Sequence, residues 1–285
     1  MKIKNNSEIL FIYDAKMTNP NGDMDNENKP RMDYDTNTNL VSDVRLKRYI
    51  RDYYETVENK EIFITSGAKD AKDRAKQMKD KKLSYTDLID IKLFGGVYAA
   101  EGGNDHLTGP VQFNWGYSLN PVELNESSTI TSSFSKGEGI GKDYRVKYSL
   151  LAFSGSVNSS VAEYSTLQEE ELAHFDEVVV KSLFYARTRS KIGQTPRLYM
   201  RVEMNGERFL KDLREYVSLK YNVDKEFLVR NIGDIELNLE KLTEYLKANK
   251  EAISKIKIWV DDQIKISPNL EQIKSIGIEI DKFKV

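Results

Sequence analysis

"LQEEELAHFDEVVVKSLFYART", residues 167 to 188, is the segment of the chain with the clearest helical pattern. The run of glutamates at its start suits the positive end of a helix, and Thr166 is predicted to cap it. Strand-like segments flank the helix: "YSLLAFSGSVNSSVAEYS" (148 to 165) before it and "RLYMRVEMN" (197 to 205) after it. The sequence therefore predicts a strand–helix–strand unit here.

An equivalent unit is predicted near the start of the chain. "EILFIYDA" (8 to 15) and "EIFIT" (61 to 65) are β-rich, and a helix capped by Ser42 or Asp43 runs between them to Tyr54. Two βαβ units in this order predict an α+β fold with the ferredoxin-like βαββαβ topology, which the RNA-recognition motif shares. Because this topology hosts many functions, it does not assign one.

Composition excludes several classes of protein. The chain has 285 residues and no cysteine, so disulfides and thiolate metal sites are excluded. Its longest apolar run, "ILFIY" (9 to 13), is far too short to cross a membrane, and the N-terminus lacks the apolar core of a secretory signal. We expect one elaborated domain over residues 1 to 285, cytoplasmic, with no cofactor.

Charge is segregated although the formal net charge is only −2. "VRLKRYIR" (44 to 51) and "RTRSKIGQTPRLYMR" (187 to 201) carry basic residues and no acid, whereas "QEEELAHFDE" (168 to 177) is acidic. Segregation of this kind can focus a positive field on one side of a near-neutral protein. In "KDAKDRAKQMKDKK" (69 to 82), acids are interleaved with the bases, which favours a solvated helix face.

The polar loop "NPNGDMDNENKP" (19 to 30) resembles a calcium loop only in part. Asp23, Asp25 and Glu27 match the first ligand positions, but Asn28 stands where a glycine is needed and Tyr34 where a bidentate glutamate is needed. The carboxylates at 14, 23, 25 and 33 form no pair with a decisive spacing, so no metal site is predicted.

Candidates for catalysis are few. His174 lies on the long helix and is predicted to be structural or solvated. His106 lies in a polar glycine-rich loop and is the general base in an alternative interpretation, a metal-independent endoribonuclease that processes repeat RNA. Phe113, Trp115 and Tyr117 alternate, so they form either a core face or a platform for stacking bases.

Four segments in this order resemble a known family. They are "NPNGDMDNENKPRMD", "LVSDVRLKRYIRDYY", "LFGG" and "TGPVQFNWGYSLNPVE". They are similar to the backbone subunit of CRISPR type I surveillance complexes (Cascade), the Cas-seven family, and within it the type I-B branch. The resemblance covers residues 8 to about 205, and the last third of the chain matches only in general character.

The resemblance implies an RNA-recognition-motif palm with large insertions. The palm core would comprise about 8–15, 42–65, 109–118 and 148–204; the finger about 66–108; the thumb hairpin about 131–147; and a C-terminal extension about 205–285. Copies of such a subunit stack along one crRNA and present it for pairing with target DNA in antiviral defence. The other partners implied are the large, small and repeat-handle-binding Cascade subunits. No catalysis is expected.

The resemblance also implies where the guide RNA is held. The polar loop would place amides and backbone N–H groups beside the guide, and the basic helix after it would contact phosphates. The candidate RNA-binding residues are Asn19, Asn21, Arg45, Lys47, Arg48, Arg51, Gln112, Lys142, Arg145, Arg187 and Arg189. For the loop asparagines, turn formation is the alternative role, and for the helix cations, a solvated face. The candidate apolar wedges of the thumb are Phe134, Ile140 and Val146.

Overall fold

A computed structural model describes residues 1–100, 103–125, 129–131 and 140–285, with the backbone alone for 98–100, 103–105, 130–131 and 140. Its helices are α1 (Asp43–Thr56), α2 (Ala71–Asp80), α3 (Ile89–Phe94), α4 (Ser159–Ser165), α5 (Glu169–Tyr185), α6 (Glu240–Ala248) and α7 (Leu270–Lys274). Its strands are β1 (Ser7–Thr18), β2 (Gly22–Asp23), β3 (Lys29–Pro30), β4 (Met32–Asp33), β5 (Thr38–Val41), β6 (Gly95–Ala100), β7 (Gly103–Thr108), β8 (Val111–Phe113), β9 (Gly116–Ser118), β10 (Thr129–Thr131), β11 (Ile140–Lys142), β12 (Val146–Val157), β13 (Gln194–Met204), β14 (Ser218–Tyr221), β15 (Ile235–Asn238), β16 (Ile253–Val260), β17 (Ile266–Ser267) and β18 (Glu279–Lys282). The predicted α+β class is confirmed.

The main sheet is built around β1. Its strand order is β18-β16-β13-β1-β12-β9-β5-β4, and β8 also pairs with β12. β1 is antiparallel to both β12 and β13, and β12 is antiparallel to β8 and β9. α1 follows β5, the neighbour of β9, and precedes β8 in the chain, whereas α5 lies between β12 and β13. The small strand pairs β2–β3, β6–β7 and β10–β11 lie outside the main sheet.

One face of the sheet packs on α1 and α5. Ile9, Phe11 and Tyr13 of β1 point to this side and are fully buried against both helices. The buried stripe of α1 consists of Leu46, Ile50 and Tyr53, which all belong to this core together with Tyr49. The hydroxyl of Ser42 accepts a hydrogen bond from Arg45 N, which confirms Ser42 as the helix cap.

The opposite face is covered by the C-terminal part of the chain. Leu10 and Ile12 of β1 pack there in a second core with Leu237, Leu242 and Ile264. Both faces of β1 are therefore buried, which explains why its sequence is a continuous apolar run instead of an alternating one. It follows that this sheet face is not open to stacked bases.

The segment "EIFIT" is not a strand, contrary to prediction. The backbone N–H groups of Phe63 and Ile64 donate to the buried carboxylate of Asp90, at 2.7 and 3.1 Å. Asp90 also accepts a hydrogen bond from Arg51 Nε at 3.0 Å. A side chain thus satisfies donors that strand pairing would otherwise use, and sequence periodicity carries no signal of this.

Other predicted boundaries also shift. Gln168, not Thr166, is the N-cap of α5, and Thr166 adopts a left-handed conformation (φ 63°) that ends α4. α6 ends at Ala248, and Ile253 already belongs to β16. Among the described helices, none is both long and apolar enough to span a membrane.

The three alternating aromatics do not share a face. The strand is interrupted between β8 and β9, so Phe113 is buried in the core beside Phe175, whereas Trp115 is half exposed. Arg31 lies over the Trp115 ring at 5.8 Å, and Arg214 lies over the Tyr117 ring at 4.5 Å. These three side chains therefore do not form a continuous platform for stacked bases, and that interpretation is wrong.

Candidate functional site

A groove of about 550 Å³ lies between the polar loop, the start of α1 and the segment before β13. Arg31, Arg45, Arg48 and Lys191 line it, together with Asn19 and Asn21. Four cations and two amides therefore face one concave surface. The groove brings together residues that the sequence separates by about 170 positions.

The two asparagines of the polar loop are buried parts of the wall. Asn21 Oδ1 accepts hydrogen bonds from Ser42 N at 2.8 Å and from Ser42 Oγ at 2.9 Å. Asn19 Nδ2 donates to Asn28 O at 2.7 Å, while its Oδ1 has no partner among the described residues. The amides therefore fix the loop against α1, the turn role that the sequence left open.

Replacing Asn21 by alanine is expected to destabilise the fold by about 1–2 kcal/mol, because two donors of the α1 cap lose their acceptor. Urea unfolding measures the change. Asn21→Asp retains an oxygen acceptor at this position and should remain close to wild type. Equal losses in both variants would contradict the capping role.

The basic residues of α1 divide into two pairs. Arg45 and Arg48 line the groove; Arg45 lies 5.8 Å from the Tyr49 ring, and no carboxylate of the described chain lies within ion-pair distance of it. Arg48 pairs with Asp52 at 2.6 Å and donates to Ile64 O, but it remains partly exposed.

Lys47 and Arg51 do not face the groove, which argues against their predicted RNA contacts. Lys47 is buried and donates to Asp43 at 3.1 Å and to Gln112 Oε1 at 3.0 Å. Arg51 is buried against Asp90. Gln112, also a predicted contact, donates to Phe94 O and Gly109 O, so its polar atoms are used within the fold. A helical spacing of three to four residues explains why Arg45 and Arg48 share one face and Lys47 and Arg51 another.

Lys191 also lines the groove. It was not among the RNA-binding residues predicted from the sequence, although it lies within the basic run 187 to 201. Its Nζ donates to Asn19 O, and to Pro20 O at 3.1 Å. Burial and, secondly, the nearby charge of Arg45 lower the pKa of Lys191 to about 7. This ammonium therefore titrates near neutral pH at the floor of the groove.

Two cations of the same run belong to the interior. Arg197 pairs with Asp14 at 2.8 Å and also with Asp261, and Arg201 pairs with Asp176 at 2.7 Å. The run contains no acidic residue, but in the folded chain acids from distant segments neutralise the charges of these two arginines. Arg187 and Arg189 are exposed outside the groove; Arg189 Nη2 lies 3.4 Å from the Asp143 carboxylate, and Arg187 Nε donates to Phe184 O.

The β10–β11 hairpin lies beside the polar loop. Lys142 Nζ is 2.6 Å from Glu27 Oε1, and the Tyr144 hydroxyl donates to Glu27 Oε2 at 2.9 Å. Arg145 donates to Asp143 and to Met17 O, so both predicted hairpin cations have partners within the chain.

Val146, one of the predicted wedges, is fully buried in the core at the start of β12, so this prediction is wrong. For Ile140 only the backbone is described, in β11. Phe134 lies outside the described residues.

Three of the four candidate acids, and His174, are held in structural contacts. Asp14 is buried against Arg197 and Tyr148, Asp23 pairs with Arg31 at 3.1 Å, and Asp33 accepts from Thr36. Within the described residues, no three His, Asp or Glu side chains are grouped to hold a metal. His174 lies 2.6 Å from Glu58, and His106 is exposed.

The fold has counterparts among solved structures. The structure is similar to a chain in a solved "CRISPR RNA-guided surveillance complex", with a TM-score of 0.56 and 14% identity over 98% of this chain and 95% of that one. A chain of a second such complex, described as pre-nicking, gives a TM-score of 0.53 and 13% identity over 95% and 98%. At these identities the likeness concerns the fold alone.

The sequence comparisons are more specific. The family model described as CRISPR-associated protein Cas7 matches residues 5–240. The chain is 30% identical over 316 aligned positions to the CRISPR-associated protein Cas7 of Haloferax volcanii, covering 96% of this chain and 92% of the relative. This protein belongs to the Cas7 family.

Proposed function

We propose that this protein is the guide-RNA-binding backbone subunit of a type I surveillance complex, of the I-B branch, acting in antiviral defence in the cytoplasm. Several copies would bind along one crRNA and hold it for pairing with target DNA. The further partners would be the large, small and repeat-handle-binding subunits. Membership of the Cas7 family and likeness to chains of RNA-guided complexes support this role.

The observation that carries the proposal is the groove of Arg31, Arg45, Arg48 and Lys191. Arginine forks and a lysine ammonium bind phosphate oxygens without reading bases, which suits a guide of any sequence. The asparagine-anchored loop gives the groove a fixed wall, so little order would have to be gained on binding.

We interpret the strand order β13-β1-β12-β8/β9, with its two crossing helices, as the βαββαβ palm. The insertion at 66–108 would then be the finger, the β10–β11 region the thumb, and residues 205–285 the extension that covers the second sheet face. Because that face is covered, RNA binding is assigned to the groove at the loop edge instead of to the sheet surface.

Purified protein tests the proposal directly. We expect RNA to co-purify in large assemblies, seen as a raised ratio of absorbance at 260 to 280 nm and a mass that falls after nuclease treatment. Anisotropy with single-stranded RNA should weaken with salt with a slope of roughly −2.8 per subunit for about four phosphate contacts. An RNA-free monomer that binds no RNA at low salt would refute the function.

We also propose that the subunit does not cleave RNA. The ribonuclease alternative predicts cleavage of repeat RNA that His106→Ala abolishes while binding persists. Intact RNA after incubation with the wild-type protein, in chelator and in magnesium, would support the binding role.

RNA affinity is expected to rise as the pH falls from about 8 to about 6, on either side of the lowered pKa of Lys191. The proton adds a positive charge to the groove, and one such contact contributes up to about 1 kcal/mol, or about two- to fivefold in affinity. Lys191→Arg, charged throughout this range, should bind tightly with little pH dependence. An unchanged pH dependence of RNA affinity in Lys191→Arg would mean that other groups cause it.

A further inference from the structure

A second pocket, of about 410 Å³, lies where β1 begins, between β8, β12 and the segment at 210–212. Oxygen-bearing side chains line much of it: Glu8, Asn114, Ser154, Ser156 and Asp212. None of these residues takes part in the RNA groove.

The Glu8 carboxylate is the unexplained group in this pocket. The residue is only 8% exposed and lines the pocket, and its carboxylate makes no hydrogen bond or ion pair with any described residue. A buried carboxylate without a partner is costly unless it is protonated or a cation neutralises it.

The cation that pairs with Asp212 does not compensate Glu8. Arg214 is committed to Asp212, with Nη2–Oδ2 at 2.6 Å and Nε–Oδ1 at 3.0 Å. Its remaining nitrogen donates to Trp115 O at 2.7 Å, and its guanidinium lies over the Tyr117 ring. Arg214 therefore balances one of the two carboxylates, and the pocket retains a negative charge when Glu8 is ionised.

We propose that this pocket binds a hard divalent cation, Mg²⁺ or Ca²⁺, with the Glu8 carboxylate as its charged ligand. Carboxylate, hydroxyl and amide oxygens are the donors that these cations take, and water fills the remaining positions. Ser156 lies opposite Glu8 in the β1–β12 pairing, so its hydroxyl is placed on the same stretch of the sheet. The bound cation would tie the start of β1 to the segment that carries Asp212.

Thermal unfolding of nuclease-treated, RNA-free protein with added MgCl₂ or CaCl₂ tests the site. At about ten times the dissociation constant, wild type should gain about 2–4 °C in Tm over the chelator-treated sample, with NaCl of equal ionic strength as the reference. Glu8→Gln should lose this gain. In chelator, Glu8→Gln should melt above wild type, because the amide has almost the same shape and does not carry the cost of burying or protonating a carboxylate.

Glu244→Gln, an exposed acid on α6, is the matched control and should retain the cation-dependent gain. No gain in wild type, an equal gain in Glu8→Gln, or an equal gain from NaCl would overturn the site. The samples contain no RNA, so a negative result for the cation site would leave the proposed guide-binding function unaffected.

Discussion

Arg45→Glu combined with Arg48→Glu is expected to reduce affinity for single-stranded RNA by about 100-fold or more and to abolish co-purification of RNA. Each arginine lost removes a charge-assisted contact of about 1.5–3 kcal/mol with phosphate, and each new glutamate repels the backbone. Arg45 has no competing carboxylate among the described residues, so its charge is available to a ligand. Anisotropy titrations at fixed salt measure the loss.

The matched control is Lys241→Glu with Lys247→Glu, which makes the same charge change at exposed positions of α6. It should bind RNA nearly as well as wild type, and urea unfolding should show all three proteins folded. Equal losses in both double variants would mean that net charge, not the groove, holds the RNA.

Asp176→Asn is expected to cost about 3–5 kcal/mol of unfolding free energy. The Asp176 carboxylate accepts from Tyr199 at 2.6 Å and from Arg201 Nε and Nη2 at 2.7 and 2.8 Å, in the buried interior beneath α5. Burial lowers the pKa of Arg201, but the charge and hydrogen bonds of Asp176 outweigh it and raise the pKa above its usual value. Arg201 therefore stays charged, and among the described residues the amide leaves it with only the longer carboxylate contact, to Glu203 Oε2 at 3.5 Å.

Glu177→Gln provides the comparison on the same helix. Its pair with Lys181, at 2.7 Å, is partly exposed, so its loss should cost less than about 1 kcal/mol. Replacing both Asp176 by leucine and Arg201 by methionine should recover much of the stability lost in Asp176→Asn. Equal costs for Asp176→Asn and Glu177→Gln in denaturant unfolding would be inconsistent with a buried charge pair.

The sequence predicts the fold best where apolar periodicity and capping agree. Ser42 with Leu46 and Ile50 determine α1, and the glutamate run with its apolar stripe determines α5. The "EIFIT" segment is mispredicted because a single distant side chain, Asp90, takes its backbone donors. Local propensity contains no information about such a partner.

The position of the groove could be predicted from the sequence, but not every residue that lines it. The polar loop and the basic helix are adjacent in sequence, so Asn19, Asn21, Arg45 and Arg48 could be grouped from the chain alone. Lys191 lies just before β13, far from the loop in sequence, and only the pairing of β1 with β13 brings it to the loop.

The covering of both faces of β1 has a consequence for how the chain is made. β1 leaves the ribosome before its strand partners, which lie at Val146–Val157 and Gln194–Met204, and Leu237, Leu242 and Ile264 follow later still. During synthesis its apolar residues would remain without native neighbours until most of the chain has emerged. A chaperone that shields β1 until then is therefore expected to raise the yield of folded protein.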